Sequence, residues 1–317
     1  MACFHPLKAF RTAGGEIIFN PHRADTVADL TLPCGQCVGC RLERSRQWAI
    51  RCVHEASLHK HNCFLTLTFA PFSWVDCKKR LKGEHDPLFG QEAGEDLVYA
   101  EFQKFMKRLR KRTGVKVRYY MCGEYGENFG RAHFHACLFG FDFSDKRLFF
   151  ISKHGDKVFR SELLEELWPW GISSIGEVTF KSAAYVARYI MKKVTGDSLD
   201  PDTGLPRKMH YYRGDGRFRT PEFTKMSLKP GIGSDWFDKY KSDVYPHDYV
   251  VINGKKVKPP RYYDKKYAMS DPFDFDELEF HRFSRSREKL HDNTPERLAV
   301  RKEVLEAKLS KLKRNLV

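Results

Sequence analysis

Arg131-Ala-His-Phe-His-Ala-Cys-Leu-Phe-Gly-Phe141 is the stretch on which the fold turns. Read as a strand, Ala132 to Phe141 places alternate side chains on opposite faces, so His133 and His135 share one face. Phe134 and Ala136 then turn to the core behind them. Val115 to Cys122 reads as a second strand, joined to the first by the turn Gly123-Glu-Tyr-Gly-Glu-Asn-Phe-Gly130. Two imidazoles two residues apart make half a metal site. A hairpin would fold Glu124 back beside them as the third ligand, with Glu127 as the fallback.

Working outward, Cys63-Phe-Leu-Thr-Leu-Thr-Phe69 has strand composition and is stopped by Pro71, and residues 76–95 read as a loop. Asp96 is placed to cap a helix running to Thr113, with Leu97, Phe102, Phe105, Met106 and Leu109 as its apolar stripe. A further helix is expected over Arg41–His61, a short one over Ser161–Leu167, a strand over Ser173–Phe180 and a helix over Ser182–Val194. Residues 195–235 hold much Gly, Pro and Arg, as loops or a substrate-facing arm would. Asn253-Gly254 suits the type I′ turn of a hairpin over Val250–Val257. A charged helix is expected from Pro295 onward, with leucines at 298, 305, 309, 312 and 316 that pack on the body or pair chains. The resulting division is a cysteine-bearing head with a basic helix (1–62), a core (63–195) and a basic, loop-rich appendage packed on the core (196–317).

The helix expected over Ser182–Val194 carries Tyr185-Val-Ala-Arg-Tyr-Ile-Met-Lys192. Tyr185 and Tyr189 lie one turn apart on a helix face, about 5–6 Å between Cβ atoms, and Lys192 joins that face. As an amphipathic stripe these rings would simply pack. As nucleophiles they face a deficit of roughly 4 kcal/mol, since only about one free phenol in a thousand is ionised at neutral pH. A nearby ammonium and a metal-polarised phosphate offset part of it. Attack on DNA would leave a phosphotyrosine and a free 3′-hydroxyl, and two tyrosines would permit two successive transfers. One carboxylate with two neutral imidazoles suits Mn²⁺ or Mg²⁺, with positions left open for phosphate oxygens.

Composition favours a nucleic-acid partner. The 317 residues carry a formal charge of +15, from 56 basic and 41 acidic side chains, and 14% aromatics. Cations displace counterions from phosphates and rings stack on unpaired bases. Between Gln103 and Arg118 stand eight basic residues and no acid, among them Lys104, Lys107, Arg108, Arg110, Lys111 and Arg112. That run is either a solvated helix face or a phosphate-binding one. Arg207, Arg213, Arg217 and Arg219, set among Tyr211, Tyr212 and Phe218, suit single-stranded bases, and Arg131 borders the histidines.

The nine cysteines are odd in number and several stand singly in apolar runs, as reduced thiols do. The N-terminal residues lack a signal-peptide core and no run is long and apolar enough to span a bilayer, which points to the cytosol. Cys34-x-x-Cys37-x-x-Cys40 is tight enough to meet one ion, with Cys3 as fourth ligand and His5 or Cys52 behind it. The alternatives are a structural Zn²⁺ and free thiols; Arg44, where a cluster would want cysteine, argues against iron–sulfur.

In order and spacing, Phe64-Leu-Thr-Leu-Thr-Phe69, Arg131-Ala-His-Phe-His135 and Tyr185-Val-Ala-Arg-Tyr-Ile-Met-Lys192 resemble the three motifs of HUH endonucleases that start rolling-circle replication. The flanking Cys3-Phe-His-Pro6, Pro33–Cys40, Cys122–Gly126 and Lys229–Gly233 are similar to initiators of gokushovirus-type single-stranded-DNA phages. The resemblance is strong over about residues 60–195. It implies an α+β fold whose central antiparallel sheet carries the histidines under flanking helices. It also implies metal binding by His133, His135 and Glu124, Tyr189 as primary nucleophile, Tyr185 as its alternating partner, and Lys192 steadying phosphate or phenolate. The implied activity is site-specific nicking and strand transfer on origin single-stranded DNA in the bacterial host's cytoplasm. No Gly-x-x-x-x-Gly-Lys-[Ser/Thr] loop occurs, so helicase and polymerase would come from the host. Rival readings are a plasmid relaxase, a transposase, or a non-catalytic single-strand binder or packaging protein.

Overall fold

A computed structural model describes residues 3–20, 26–70, 96–126, 130–153, 155–192, 218–288 and 290–311, without the side chains of 189–192. Near the N-terminus β1 (Leu7–Thr12), β2 (Ile17–Ile18) and β3 (Thr26–Leu32) form a small antiparallel sheet. There follow α1 (Val38–Ser57), β4 (Asn62–Thr68), α2 (Tyr99–Thr113), β5 (Arg118–Tyr125) and β6 (Ala132–Phe139). Then come β7 (Arg147–Ile151), β8 (Lys157–Arg160), α3 (Glu162–Leu167), β9 (Ser173–Gly176) and α4 (Phe180–Lys192). Beyond these lie β10 (Phe223–Met226), α5 (Ser234–Val244) and the hairpin β11 (Val250–Ile252) with β12 (Lys255–Val257). Finally come α6 (Arg261–Ser270), α7 (Pro272–Arg287) and α8 (Pro295–Ser310).

Among the described residues, seven strands form one antiparallel sheet in the order β10-β5-β6-β4-β9-β8-β7. The period of two in β6 sorts its side chains between two packed layers. Phe134, Ala136 and Leu138 face the stripe Phe102, Phe105, Met106 and Leu109 of α2, together with Trp168. Cys137 and Phe139 turn the other way, toward Ala49 and Cys52 of α1 and Ala183, Val186 and Ala187 of α4. His133 and His135 share that second face. Each large apolar side chain buried here contributes roughly 1.5–3 kcal/mol, so a slip of one residue in β6 would forfeit both layers at once. A third cluster, with Phe237, Tyr245, Tyr263 and Leu278, joins α5, α6 and α7 to Ile50 on α1.

The α+β architecture of an antiparallel sheet flanked by helices is therefore the expected one, and several local readings need correction. Asp96 does not cap α2, which begins after Val98. Its carboxylate instead accepts hydrogen bonds from Leu97 N, Tyr125 Oη and Thr220 N, clamping the end of β5 to the approach of β10. The strand expected to reach Phe180 ends at Gly176. Reciprocal bonds (Thr179 N to Ser182 Oγ, 2.8 Å; Ser182 N to Thr179 Oγ1, 3.1 Å) start α4 at Phe180 instead. The strand read from Val115 runs from Arg118 to Tyr125, which puts Glu124 inside the ladder rather than in the turn. The hairpin at Asn253-Gly254 forms as expected, with φ of 48° and 73°.

Candidate active site and a thiol cluster

Registry brings the site together. Glu124 pairs across the ladder with His133 and Cys122 with His135, while β4 on the other side sets Thr66 opposite His135. Glu124, 2% exposed, receives both imidazoles on one oxygen: His133 Nε2 lies 2.6 Å and His135 Nε2 2.8 Å from its Oε1. The second oxygen, Oε2, is buried without a hydrogen-bond partner. Each ring is held from behind. His133 Nδ1 lies 3.1 Å from the Arg131 carbonyl, and His135 Nδ1 lies 3.0 Å from Thr66 Oγ1. A carbonyl only accepts, so His133 Nδ1 carries its proton. The Nε2 facing Glu124 then either holds a second proton or gives its lone pair to a cation. The corner is built for positive charge.

The electrostatics agree. Burial by itself raises the Glu124 carboxyl, yet the two imidazole hydrogen bonds outweigh it and hold the group at about 2. Burial lowers His135, with Glu124 opposing. The ligating atoms of Glu124, His133 and His135 lie within 4.8 Å of one another, a donor set that can hold a metal ion.

α4 delivers the first tyrosine to the same point. Tyr185 Oη donates to Glu124 Oε1 at 3.0 Å, and its ring meets that of His135 edge-on at 5.0 Å. Burial, reinforced by the Glu124 charge, pushes the Tyr185 phenol well above its ordinary range. Arg188 lies over the Tyr185 ring at 5.6 Å. Tyr189 and Lys192 occupy the last turns of α4; their side chains lie outside the described ones. Thr66 and Arg188 escaped the sequence reading. Thr66 carried a faint signal in the alternation of Thr66 and Thr68 within β4, and Arg188 in its three-residue offset from Tyr185.

The candidate DNA-contacting residues divide. Arg131 is exposed beside the histidines. Arg219 stacks 4.9 Å over the Tyr125 ring, next to Glu124 in sequence, whereas Arg213 and Arg217, like Glu127, lie outside the described residues. The α2 run sits on the opposite layer of the sheet. There Arg108 donates to the Leu167 carbonyl, Arg110 to that of Val117, and Lys104 pairs with Glu101. Lys107, Lys111 and Arg112 are exposed.

A second donor cluster forms at the start of α1. Cys3, Cys34, Cys37 and Cys40 place their sulfurs within 4.8 Å of one another, and all four are free thiols. Burial raises Cys3 and Cys40; at Cys37 burial is outweighed by N–H groups, chiefly that of Phe4, and the thiol falls to about 7. Among the described residues no helix is long and apolar enough to cross a membrane.

Comparison with known proteins supports the same segment. The model of the replication-associated protein ORF2 family matches residues 62–194, the span from β4 through α4. The replication-associated protein VP4 of Bdellovibrio phage phiMH2K is 31% identical over 283 residues, covering 86% of this chain and 79% of that protein. The replication-associated protein ORF2 of Spiroplasma virus 4 is 28% identical over 286 residues, covering 84% and 80%. The replication-associated protein ORF4 of Chlamydia phage 1 is 29% identical over 257 residues, covering 77% and 56%. No solved structure matches the chain. With the share of both chains that the first of these relatives aligns, and the residues of the candidate site all inside the matched span, the chain belongs to the ORF2 family of replication-associated proteins.

Proposed function

We propose that the chain is a metal-dependent, tyrosine-nucleophile endonuclease and strand transferase that nicks origin single-stranded DNA and so initiates rolling-circle replication of a phage genome. The observation that carries this reading is the convergence of Glu124, His133, His135 and Tyr185 on one point from three separate elements.

The His–Glu donor set, with a spare buried carboxylate oxygen, fits Mn²⁺ or Mg²⁺. Bound there, such an ion would neutralise charge on the scissile phosphate and fix its orientation. The chain's own residues do the rest. Thr66 and the Arg131 carbonyl hold the two imidazoles in their ligating orientation. A tyrosine oxygen attacks phosphorus as the P–O3′ bond breaks; the phenol loses its proton and the departing 3′-oxygen gains one. The 5′-phosphate stays on the enzyme. Because Tyr185 is engaged as a donor to Glu124, Tyr189 is assigned the first attack and Tyr185 the second, with Lys192 steadying phosphate or phenolate. Arg131 and Arg219 flank this site and serve the DNA strand. The four-thiol cluster calls for a softer ion than the His–Glu site does. Host helicase and polymerase supply unwinding and synthesis.

The test compares His133→Ala with the wild-type chain on origin single-stranded DNA with Mn²⁺. Cleavage falls at least about 10²-fold while salt-sensitive binding stays within about twofold. Equal loss of both would assign His133 to folding instead.

A further inference from the structure

The four thiols come from separate places and meet at one helix end. Cys3 belongs to the N-terminal arm, Cys34 to the loop after β3, Cys37 immediately precedes α1 and Cys40 lies in its first turn. Cys3 Sγ and Cys37 Sγ are 4.0 Å apart, close to the edge of about 3.8 Å in a sulfur tetrahedron with bonds of about 2.3 Å. That distance is about twice the length of a disulfide bond. Backbone N–H groups point at three positions on these sulfurs: Phe4 N to Cys37 Sγ at 3.4 Å, Cys34 N to Cys3 Sγ at 3.3 Å, and Cys37 N to Cys34 Sγ at 3.3 Å. A neutral thiol is a weak acceptor; several N–H donors aimed at sulfur suit thiolates.

The helix supplies a second argument. α1 is twenty residues long, yet it has no side-chain cap and no acid in its first turn. A negatively charged centre at its N-terminus would fill both roles. Gly35, in the turn between Cys34 and Cys37, takes φ of +72°, and a Cβ there would lie 3.6 Å from Arg44 Nη2, so a guanidinium stands beside the cluster. By contrast Cys52, Cys63, Cys122 and Cys137 are buried in the core as apolar side chains.

We propose that Cys3, Cys34, Cys37 and Cys40 bind one zinc ion, which caps α1 and thereby fixes the helix against which the tyrosine helix packs. Four thiolates select a soft or borderline ion such as Zn²⁺ over Mn²⁺ or Mg²⁺, so the chain holds two centres of different chemistry. α1 is the partner of α4: Ser45 Oγ donates to the Ala184 carbonyl at 3.3 Å, and Ala49 and Cys52 share a core with Ala183, Val186 and Ala187. The zinc therefore acts on the tyrosines through positioning, without touching DNA. Only that last consequence rests on the nicking reading.

Elemental analysis and hydrogen exchange on the full chain test it without DNA. The purified protein carries about one zinc per chain, retained in a Glu124→Gln, His133→Ala variant and lost when Cys34 and Cys37 are both changed to serine. Cys40→His preserves a zinc-competent ligand set and guards against simple misfolding. It keeps the metal, and Co²⁺ in its place gives tetrahedral absorption bands shifted from those of the wild-type four-sulfur site. Chelation speeds amide exchange over residues 38–45 and lowers Tm. Zinc that persists in the Cys34→Ser, Cys37→Ser protein, or a chain made zinc-free with four freely titrating thiols, overturns the site. Zinc whose removal leaves exchange in α1 unchanged overturns the anchoring. Absence of nicking counts only against the catalytic reading.

Discussion

Glu124 is the residue on which the site closes, because one carboxylate oxygen serves two imidazoles and a phenol. Glu124→Gln keeps the shape and removes the charge; Mn²⁺ affinity should fall by at least about tenfold in calorimetry, with single-strand binding little changed. Thr66→Val removes one hydrogen bond behind His135 and should cost about 10–100-fold in metal affinity or cleavage with little change in Tm, since the volume is conserved. A Thr66→Val protein as active as wild type would mean that the hydroxyl does not orient the ring. The histidines and Glu124 were legible because a period of two and a short turn fix where they face. Thr66 was not, because its partner lies 69 residues away and only strand order brings them together.

Among the elements, the hairpin of β5 and β6 and the helix α4 follow from local pattern, and they carry the site. What pattern missed is instructive. β3 reads Thr-Val-Ala-Asp-Leu-Thr-Leu and is almost wholly exposed, so no buried alternation marks it. α5, α6 and α7 fall in charged sequence whose apolar contacts, such as Phe237 with Tyr263 and Tyr245 with Tyr267, are distant in the chain. The end of β4 rests on one close approach: a Cβ at Gly171 would lie 2.2 Å from the Thr68 carbonyl oxygen and 2.6 Å from Ala70 N. Backbone cannot move aside as a flexible side chain would. Gly171→Ala is expected to destabilise the chain by about 3 kcal/mol or more and to lower Tm by several degrees in a thermal melt. An unchanged melt would show that the loop after Trp168 is not clamped to β4.

At the scale of the molecule, charge and burial set the conditions of work. With a formal charge of +15, DNA binding should weaken steeply with salt, log K falling linearly with log salt concentration. The sheet places exposed Lys107, Lys111 and Arg112 on the layer opposite the site. Their replacement should flatten the salt slope less than loss of Arg131 and Arg219. Stability carries its own pH signature. His54, stacked on Trp236 and bonded to Tyr263 between α1 and the C-terminal helices, is held by burial at about 3. The unfolded chain takes up a proton near pH 6.5 that the folded chain refuses, so stability falls as pH drops from 6.5 toward 3. Near pH 5 the loss is roughly 2 kcal/mol, and His54→Gln should show a shallower slope in denaturant titrations across that range. The central claim is that metal ligands and tyrosines meet at one phosphodiester. It is tested most directly by incubating the protein with Mn²⁺ and origin single-stranded DNA and resolving the products on a denaturing gel. The expected result is a covalent protein–DNA adduct that disappears in the Tyr185→Phe, Tyr189→Phe double variant; an adduct that persists in that variant, or none with the wild-type chain, contradicts it.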